Sequence, residues 1–171
     1  MKTKKERKIK VSIIVYVKNG ENHIEQCIRS LMNQTLKAIE IIVIDGDSTD
    51  NTLNILELLM KEDDRIKLFK GPSSVGAQFN LGLSIACGNY VGICEADDFV
   101  DRDMYRKLYR YAKLFRCEVA KADFCKVYKV GDKVEKVYQS TARDEDKNKP
   151  IRVRANVGIT SGGIWKIWSG I

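Results

Sequence analysis

The sequence has few of the residues on which several common catalytic and metal sites depend. His23 is the single histidine among 171 residues, and it lies at the start of a predicted helix, where we expect it on the surface. A Ser/His/Asp triad and a histidine-rich zinc site both place histidine at the reacting centre. One histidine in such a position leaves these two classes of site nearly excluded.

Long apolar runs and paired cysteines are also missing. No apolar stretch approaches the roughly 20 residues that a membrane-spanning helix needs, and the basic start has no apolar core of a signal peptide behind it. The cysteine count is odd and contains no Cys-x-x-Cys pair, so we expect reduced thiols in the core or half-buried rather than a disulfide framework. The positions are Cys27, Cys87, Cys94, Cys117 and Cys125. A cytoplasmic protein is predicted.

Positive charge is concentrated at the start of the chain. The formal net charge is +7, and the first ten residues contain six basic residues against Glu6. We interpret residues 1–9 as a basic, solvated arm, with a peripheral contact to an anionic membrane at the inner face as the alternative. The sequence has no interleaving of basic and aromatic residues, and nucleic acid is not an expected partner.

Apolar segments alternate with amphipathic ones, which is typical of βαβ units and a mainly parallel sheet. Strands are predicted near 10–17, 39–45, 66–70 and 90–95, separated by helices whose apolar residues recur at helical spacing. A hairpin is predicted from 127–130 and 133–137 around Gly131-Asp132. We therefore expect one α/β domain over residues 10–171, with a doubly wound, Rossmann-like sheet, helices on both faces and a C-terminal hairpin.

Acidic residues follow two of these strands directly. Asp45 closes the second strand, and the segment Glu95-Ala-Asp-Asp98 closes the fourth. With a strand order of 3-2-1-4, both would share one crevice with the turn Lys18-Asn19-Gly20-Glu21. Clustered carboxylates favour a hard cation such as Mg²⁺ or Mn²⁺, whose shell is commonly completed by substrate phosphates. The alternative is that Asp97 and Asp98 only cap the following helix.

Several motifs in this order resemble the family 2 glycosyltransferases, which have the GT-A fold. The opening strand with Ser30-Leu-Met-Asn-Gln-Thr35 resembles the start of that family, and Glu40-Ile-Ile-Val-Ile-Asp-Gly-Asp-Ser-Thr-Asp-Asn-Thr52 resembles its second-strand motif. Asn80-Leu-Gly-Leu with Ala86-Cys-Gly-Asn-Tyr90 resembles the approach to the fourth strand. Glu95-Ala-Asp-Asp98 resembles the Asp-x-Asp motif. The resemblance covers about residues 10–115.

The resemblance implies transfer of a sugar from a nucleotide-diphosphate donor, UDP type first, to a saccharide or lipid-linked acceptor, with inversion and with Mn²⁺ or Mg²⁺. It implies that Asp45 meets the base or ribose, Asp97 the ribose and metal, and Asp98 the metal, while Glu95 supports the ribose or a metal-bound water. The expected donor-binding residues are Tyr16, Lys18, Asn19, Glu21, Asp45, Asp47, Asn80, Glu95 and Asp97. Polysaccharide assembly at a bacterial envelope is the expected setting.

Four positions depart from the family pattern. Tyr16 replaces a common Pro and Lys18 a frequent Tyr, Gly46 replaces a second Asp that Asp47 supplies one step later, and Phe79 replaces an Arg. Lys18 would then approach a phosphate or remain solvated.

The C-terminal part contains no clear catalytic base. In the family the base lies beyond the metal motif, and here the sequence predicts a truncated acceptor half. The acids of the charged loop, Asp144, Glu145 and Asp146, are weak candidates for it, and Trp165 and Trp168 are expected in the core or in an interface. Three rival functions stay open: a non-catalytic nucleotide-sugar-binding module, a sugar nucleotidyltransferase, and a signalling domain with Asp45 as phosphoacceptor.

Overall fold

The computed structural model describes residues 8–130, 133–139 and 163–166. Strands and helices alternate through the first four strands, as the hydrophobic pattern predicts. Their order is β1 (Val11–Val17), α1 (Ile24–Met32), β2 (Ile39–Asp45), α2 (Thr52–Glu62), β3 (Ile66–Lys70), α3 (Val75–Ile85), β4 (Tyr90–Glu95) and α4 (Met104–Leu114). The remaining strands are β5 (Val119–Lys121), β6 (Phe124–Val130), β7 (Lys133–Gln139) and β8 (Gly163–Lys166). None of the helices in these residues is long and apolar enough to cross a bilayer.

The main sheet has six strands in the order β3-β2-β1-β4-β8-β5. The first four strands are paired in parallel in the order 3-2-1-4, the order under which Asp45 and the acidic segment were expected to share one crevice. β8 pairs antiparallel with both β4 and β5, and it was not predicted as a strand. The sheet is therefore mainly parallel, with an antiparallel extension beyond β4.

Both faces of the sheet are covered by helices. On one face, Val11, Ile13 and Val15 of β1 belong to a buried cluster with residues of α1, α2 and α4. On the other face, Ile14 is buried with Val91 and Ile93 of β4, and α3 packs there through Phe79 and Leu83. Because alternate residues of a strand point to opposite faces, β1 is apolar on both sides.

Some local expectations need correction. The spacing of Met104, Leu108, Tyr111, Ala112 and Phe115 predicts one apolar face on α4. The buried residues there are Tyr105, Leu108 and Ala112, whereas Tyr111 and Phe115 are exposed and stack with ring centroids 6.0 Å apart. Tyr111 and Phe115 can stay on the surface because aromatic residues one helical turn apart cover part of each other there. The segment Asp47-Ser48-Thr49-Asp50 contains the side chains that commonly cap a helix, but the N-cap of α2 is Asn51.

The cysteines are free, as expected, but not all of them are buried or half-buried. Cys27 and Cys94 are buried with their sulfurs 3.7 Å apart, and Cys117 and Cys125 are partly buried. Cys87, which was expected in the core or half-buried, is exposed because it follows the C-terminal end of α3.

The C-terminal hairpin is confirmed by the antiparallel pairing of β6 with β7. β6 begins at Phe124, three residues before the predicted start. The predicted Gly131-Asp132 turn, the acids Asp144 to Asp146, and Trp168 lie outside the described residues. The backbone of Trp165 pairs with Val91 and Val119 within β8.

The amino end of the sheet contains a buried carboxylate with a full set of donors. Glu40 of β2 is 2% exposed and accepts hydrogen bonds from Ser12 Oγ at 2.6 Å, Lys67 Nζ at 2.7 Å and the Cys87 amide at 2.8 Å. Burial opposes ionisation of this group, but the bonds from Lys67, Ser12 and Cys87 outweigh it and lower the pKa of Glu40. The network ties β1, β2, β3 and the end of α3 together.

We expect Glu40→Gln to lower the free energy of unfolding by about 1–3 kcal/mol, because an amide nitrogen would face the donors. Since the folded pKa is lowered, the stabilisation is present above the unfolded pKa and is lost as pH falls below the ordinary value of 4.5. Urea unfolding at pH 7 and pH 3.5 measures both effects. The exposed Glu57→Gln is the matched control, and equal stability of the two variants at pH 7 would contradict the assignment.

Candidate active site

The polar residues predicted to form a site lie at one edge of the sheet. Val17 pairs with Asp45, and Tyr16 pairs with Glu95, so the ends of β1, β2 and β4 coincide. The expectation that Asp45 and the acidic segment occupy the same end of the sheet is therefore confirmed. A single elongated ligand can reach both.

Asp45 is buried at the floor of this edge. Its Oδ2 accepts the backbone N–H groups of Asp47 and Ser48, both at 3.1 Å, which fixes the turn that follows β2. Its Oδ1 is buried and has no hydrogen-bond partner among the described residues. One oxygen of the carboxylate therefore shapes the loop, and the other is left available to a donor from a ligand.

The turn after β1 is bound to the loop after β2 through reciprocal hydrogen bonds. Asn19 Oδ1 accepts the Thr49 amide at 2.8 Å, and Glu21 Oε2 accepts the Asn51 amide at 2.9 Å. In the other direction, Ser48, Thr52 and Asp50 side chains accept the amides of residues 19, 20 and 21. The described contacts of Asn19 and Glu21 thus position the two loops against each other, a role that the sequence had not indicated.

The acidic segment after β4 forms a mutually repelling group. Glu95 is partly buried, Asp97 and Asp98 are exposed, and the Asp98 amide donates to the Glu95 carbonyl at 3.0 Å. Partial desolvation, then the charges of Asp97 and Glu95, raise the pKa of Asp98. The N-cap of α4 is Asp103, so the alternative that Asp97 and Asp98 cap this helix is wrong.

Tyr16 connects β1 to the acidic segment. Its hydroxyl lies near the Glu95 carboxylate, and burial, then the charge and nearness of Glu95, with Asp97 and Asp98 nearby, raise its pKa to about 12. The phenol therefore stays protonated and can donate to Glu95. The family's common Pro could not supply this donor.

The loop that follows the acids is held from behind by polar residues at the end of α1. Gln34 is fully buried; its amide nitrogen donates to the Asp101 carbonyl at 2.8 Å, and its oxygen accepts the Tyr105 amide at 3.2 Å. Ser30 Oγ accepts the Val100 amide, and Thr35 Oγ1 donates to Asp103. The residues from Ser30 to Thr35 therefore hold the backbone of residues 100–105, which follows the acidic segment.

The other predicted residues lie nearer the rim. Lys18 Nζ donates to Ser73 Oγ at 3.3 Å, and Asp47 forms a 3.0 Å ion pair with Lys70 that lowers its pKa. Asn80 is exposed on α3. Two positions before it, the side chain of Gln78 is buried against the floor of the site, although it had not been singled out from the sequence.

Comparison with known proteins agrees with this geometry. The family described as glycosyl transferase family 2 matches residues 12–167. The chain belongs to this family. The match includes both the strand ends and the acidic segment, so the site described above lies within the region that the family shares.

Similar proteins extend well beyond the matched segment. An uncharacterized glycosyltransferase of Haemophilus influenzae is 39% identical over 99 residues, which cover 57% of this chain and 40% of that protein. S. aureus TarS 1–349 in complex with UDP-GlcNAc is 26% identical, with a TM-score of 0.60 over 65% of this chain and 33% of its own. The mannosyltransferase PcManGT from Pyrobaculum calidifontis, in complex with GDP-Man and Mn²⁺, has the same fold, with a TM-score of 0.55 and 23% identity over 60% of this chain and 32% of that chain.

The carboxylate oxygens of the acidic segment are the kind of ligand that a hard divalent cation prefers. Glu95, Asp97 and Asp98 provide carboxylate oxygens close enough to raise the pKa of Asp98. Within the described residues, no group of three or more acidic, cysteine or histidine side chains converges to hold a metal by itself. One or two carboxylates with phosphate oxygens of a ligand are a usual arrangement for Mg²⁺.

Proposed function

We propose that this chain transfers a sugar from a nucleotide-diphosphate donor to the hydroxyl of a saccharide or lipid-linked acceptor, with Mn²⁺ or Mg²⁺. The observation that carries the proposal is the shared sheet edge, with the unpartnered Asp45 oxygen in one part and the repelling carboxylates in the other. Family membership and the nucleotide sugars named with TarS and PcManGT support the donor class.

In this proposal each residue has a separate task. Asp45 receives the nucleobase, Glu95 and Asp97 receive the ribose, and Asp97 and Asp98 hold the cation. Lys18, at the rim beside Ser73, provides positive charge for the diphosphate. Tyr16 donates to Glu95 and keeps its carboxylate oriented.

The bound cation would supply Lewis-acid stabilisation of the leaving diphosphate. The acceptor hydroxyl would attack the anomeric carbon as the bond from that carbon to the diphosphate oxygen breaks, with inversion of configuration. The hydroxyl proton would pass to a general base as the new bond forms. The acceptor and the cytoplasmic location stay predictions from the sequence.

A donor screen tests the proposal. We expect UDP-sugars to raise the melting temperature in the presence of Mn²⁺, and to raise it much less when Mn²⁺ is replaced by a chelator, because the carboxylates alone repel the diphosphate. GDP- and TDP-sugars serve as comparison ligands. The proposal fails if no nucleotide sugar changes the melting temperature under either condition.

The non-catalytic binding module is the second candidate, since the site geometry serves binding equally well. Release of UDP from a UDP-sugar, measured with and without saccharide acceptors, separates the two. A chain that binds the donor in Mn²⁺ but releases no UDP over hours would favour the binding module.

A further inference from the structure

Gln78 is a buried polar side chain at the floor of the proposed donor site. It is 1% exposed, although it lies on α3 among residues that are mostly accessible. Its amide lies directly over Gly46, where a Cβ would overlap the amide nitrogen, and its Cγ lies 3.7 Å from the position of a Cβ on Gly71. Both glycines are bonded to the end of the sheet, because Gly46 N donates to the Val17 carbonyl and Gly71 N to the Asp45 carbonyl.

Gly46 and Gln78 therefore form a matched pair. The frequent second Asp of the family at position 46 would collide with the amide, so this chain could not carry both side chains in their present places. The missing side chain of Gly46 leaves a space beside Asp45, and the Gln78 amide fills it. A polar group has replaced a charged one at this point of the site.

Two buried acceptor atoms at this end of the sheet have no partner among the described residues. They are Asp45 Oδ1 and Gln78 Oε1, and the two residues meet at Gly46, which follows Asp45 and lies under the Gln78 amide. Leaving a buried polar atom unsatisfied is costly, so such atoms commonly mark a place where a ligand or water completes the bonding. Because Oε1 has no partner among the described residues, rotation of the amide can turn its NH₂ group toward a ligand without loss of a described hydrogen bond there.

We propose that Gln78 is a specificity-determining residue that, with Asp45, recognises the edge of a uracil base. This inference rests on the proposed nucleotide-sugar function. Uracil presents one N–H between two carbonyls: Asp45 Oδ1 accepts the N3–H, and the Gln78 amide donates to an adjacent carbonyl.

The charge and bonding of Asp45 favour uracil over the other bases. Its Oδ2 is already occupied by the Asp47 and Ser48 amides, so Oδ1 alone faces a single donor. Guanine presents two neighbouring donors, which a carboxylate with both oxygens available would suit better. Cytosine and adenine place a bare ring nitrogen at the corresponding position, which Asp45 repels.

Thio-substituted nucleotides test the role of Gln78 in the unmodified chain. The dissociation constants of UDP, 2-thio-UDP, 4-thio-UDP, GDP and CDP are measured in Mn²⁺ by calorimetry. Sulfur is a weak acceptor, so we expect one of the two thio analogues to bind about 5- to 10-fold more weakly than UDP. Equal affinity for UDP and both thio analogues, or tighter binding of GDP, would overturn the inference.

Gln78→Met removes the amide but keeps a side chain of similar length. We expect it to weaken UDP binding about 10-fold and to abolish the discrimination against the thio analogue, which a merely space-filling role would leave unchanged. Gln26→Met, the same substitution at an exposed position of α1, is the control. If Gln78→Met does not fold, the thio series on the parent decides the matter.

The outcomes also separate this inference from the function on which it rests. If the parent binds UDP and Gln78→Met binds it equally well with the same thio preference, the role of Gln78 is wrong while the donor site stands. If the parent binds no nucleoside diphosphate in Mn²⁺, both the donor site and the role of Gln78 are wrong.

Discussion

Asp45→Asn is expected to weaken UDP binding in Mn²⁺ about 100-fold, because it exchanges an acceptor for a donor opposite the N3–H of the base. The amide oxygen can still accept the Asp47 and Ser48 amides, which now bond to Oδ2, so the turn should persist. The amide nitrogen then occupies the position of the buried, unpartnered Oδ1. Calorimetric titration of UDP and CDP against parent and variant measures the effect.

Cytosine provides the decisive comparison for this variant. Its bare ring nitrogen accepts a hydrogen bond where uracil donates one, so the ratio of CDP to UDP affinity should rise in Asp45→Asn. Melting temperature and far-UV circular dichroism of the unliganded chain report whether the fold is kept. A variant that loses UDP and CDP affinity by the same factor would show that Asp45 acts on the loop and not on the base.

Asp98→Asn is expected to remove most of the metal dependence of nucleotide binding. Loss of an outer-shell partner already lowers metal affinity about 10- to 100-fold, so loss of a direct ligand should lower UDP affinity in Mn²⁺ by about 100-fold or more. In a chelator, parent and variant should bind UDP with similar, weak affinity. Titrations in both conditions, with the exposed Asp64→Asn as matched control, test the assignment.

In the absence of a ligand, Asp98→Asn should not lower the stability of the fold and can raise it. Partial desolvation and the charges of Asp97 and Glu95 raise the folded pKa of Asp98, so its contribution to stability is full below the unfolded pKa and is lost as pH rises through the folded pKa. Asp98→Asn should therefore melt at an equal or higher temperature than the parent at pH 7. Below the ordinary pKa of 3.8 this difference should disappear. A clear destabilisation at pH 7 would contradict the repulsion.

The strands that position the site were predictable because their signal is local. β1 and β2 are nearly continuous apolar runs, interrupted by Ser12 and Glu40, as is typical of strands buried on both faces. β2 ends at Asp45, and β1 is followed by the turn from Lys18. The parallel order then placed Asp45 and Glu95 at one edge. The sequence pattern and the tertiary structure agree because helices cover both faces of the sheet, and its central strands must therefore be apolar on both sides.

The features that were missed depend on residues far apart in the chain. β8 has four residues and depends on pairing with β4 and β5 and on burial of Ile164 in the core, so no periodicity within it could indicate a strand. Glutamine on a helix is ordinarily exposed, and Gln78 is buried because Gly46, on another element, leaves room for it. A glycine where the family often has an acid was the available signal, but its partner could be found only in three dimensions.

The central place of β1 also bears on how the chain acquires its fold during synthesis. β1 leaves the ribosome before the other described strands, yet Val11 pairs with both Ile39 and Tyr90, so one of its edges stays open until β4 has emerged. That edge belongs to a seven-residue segment without charge, proline or glycine, a composition that favours pairing with other chains. A nascent chain that stalls before Tyr90 should therefore associate with chaperones or aggregate, whereas release after Glu95 should allow β1 to be enclosed on both sides.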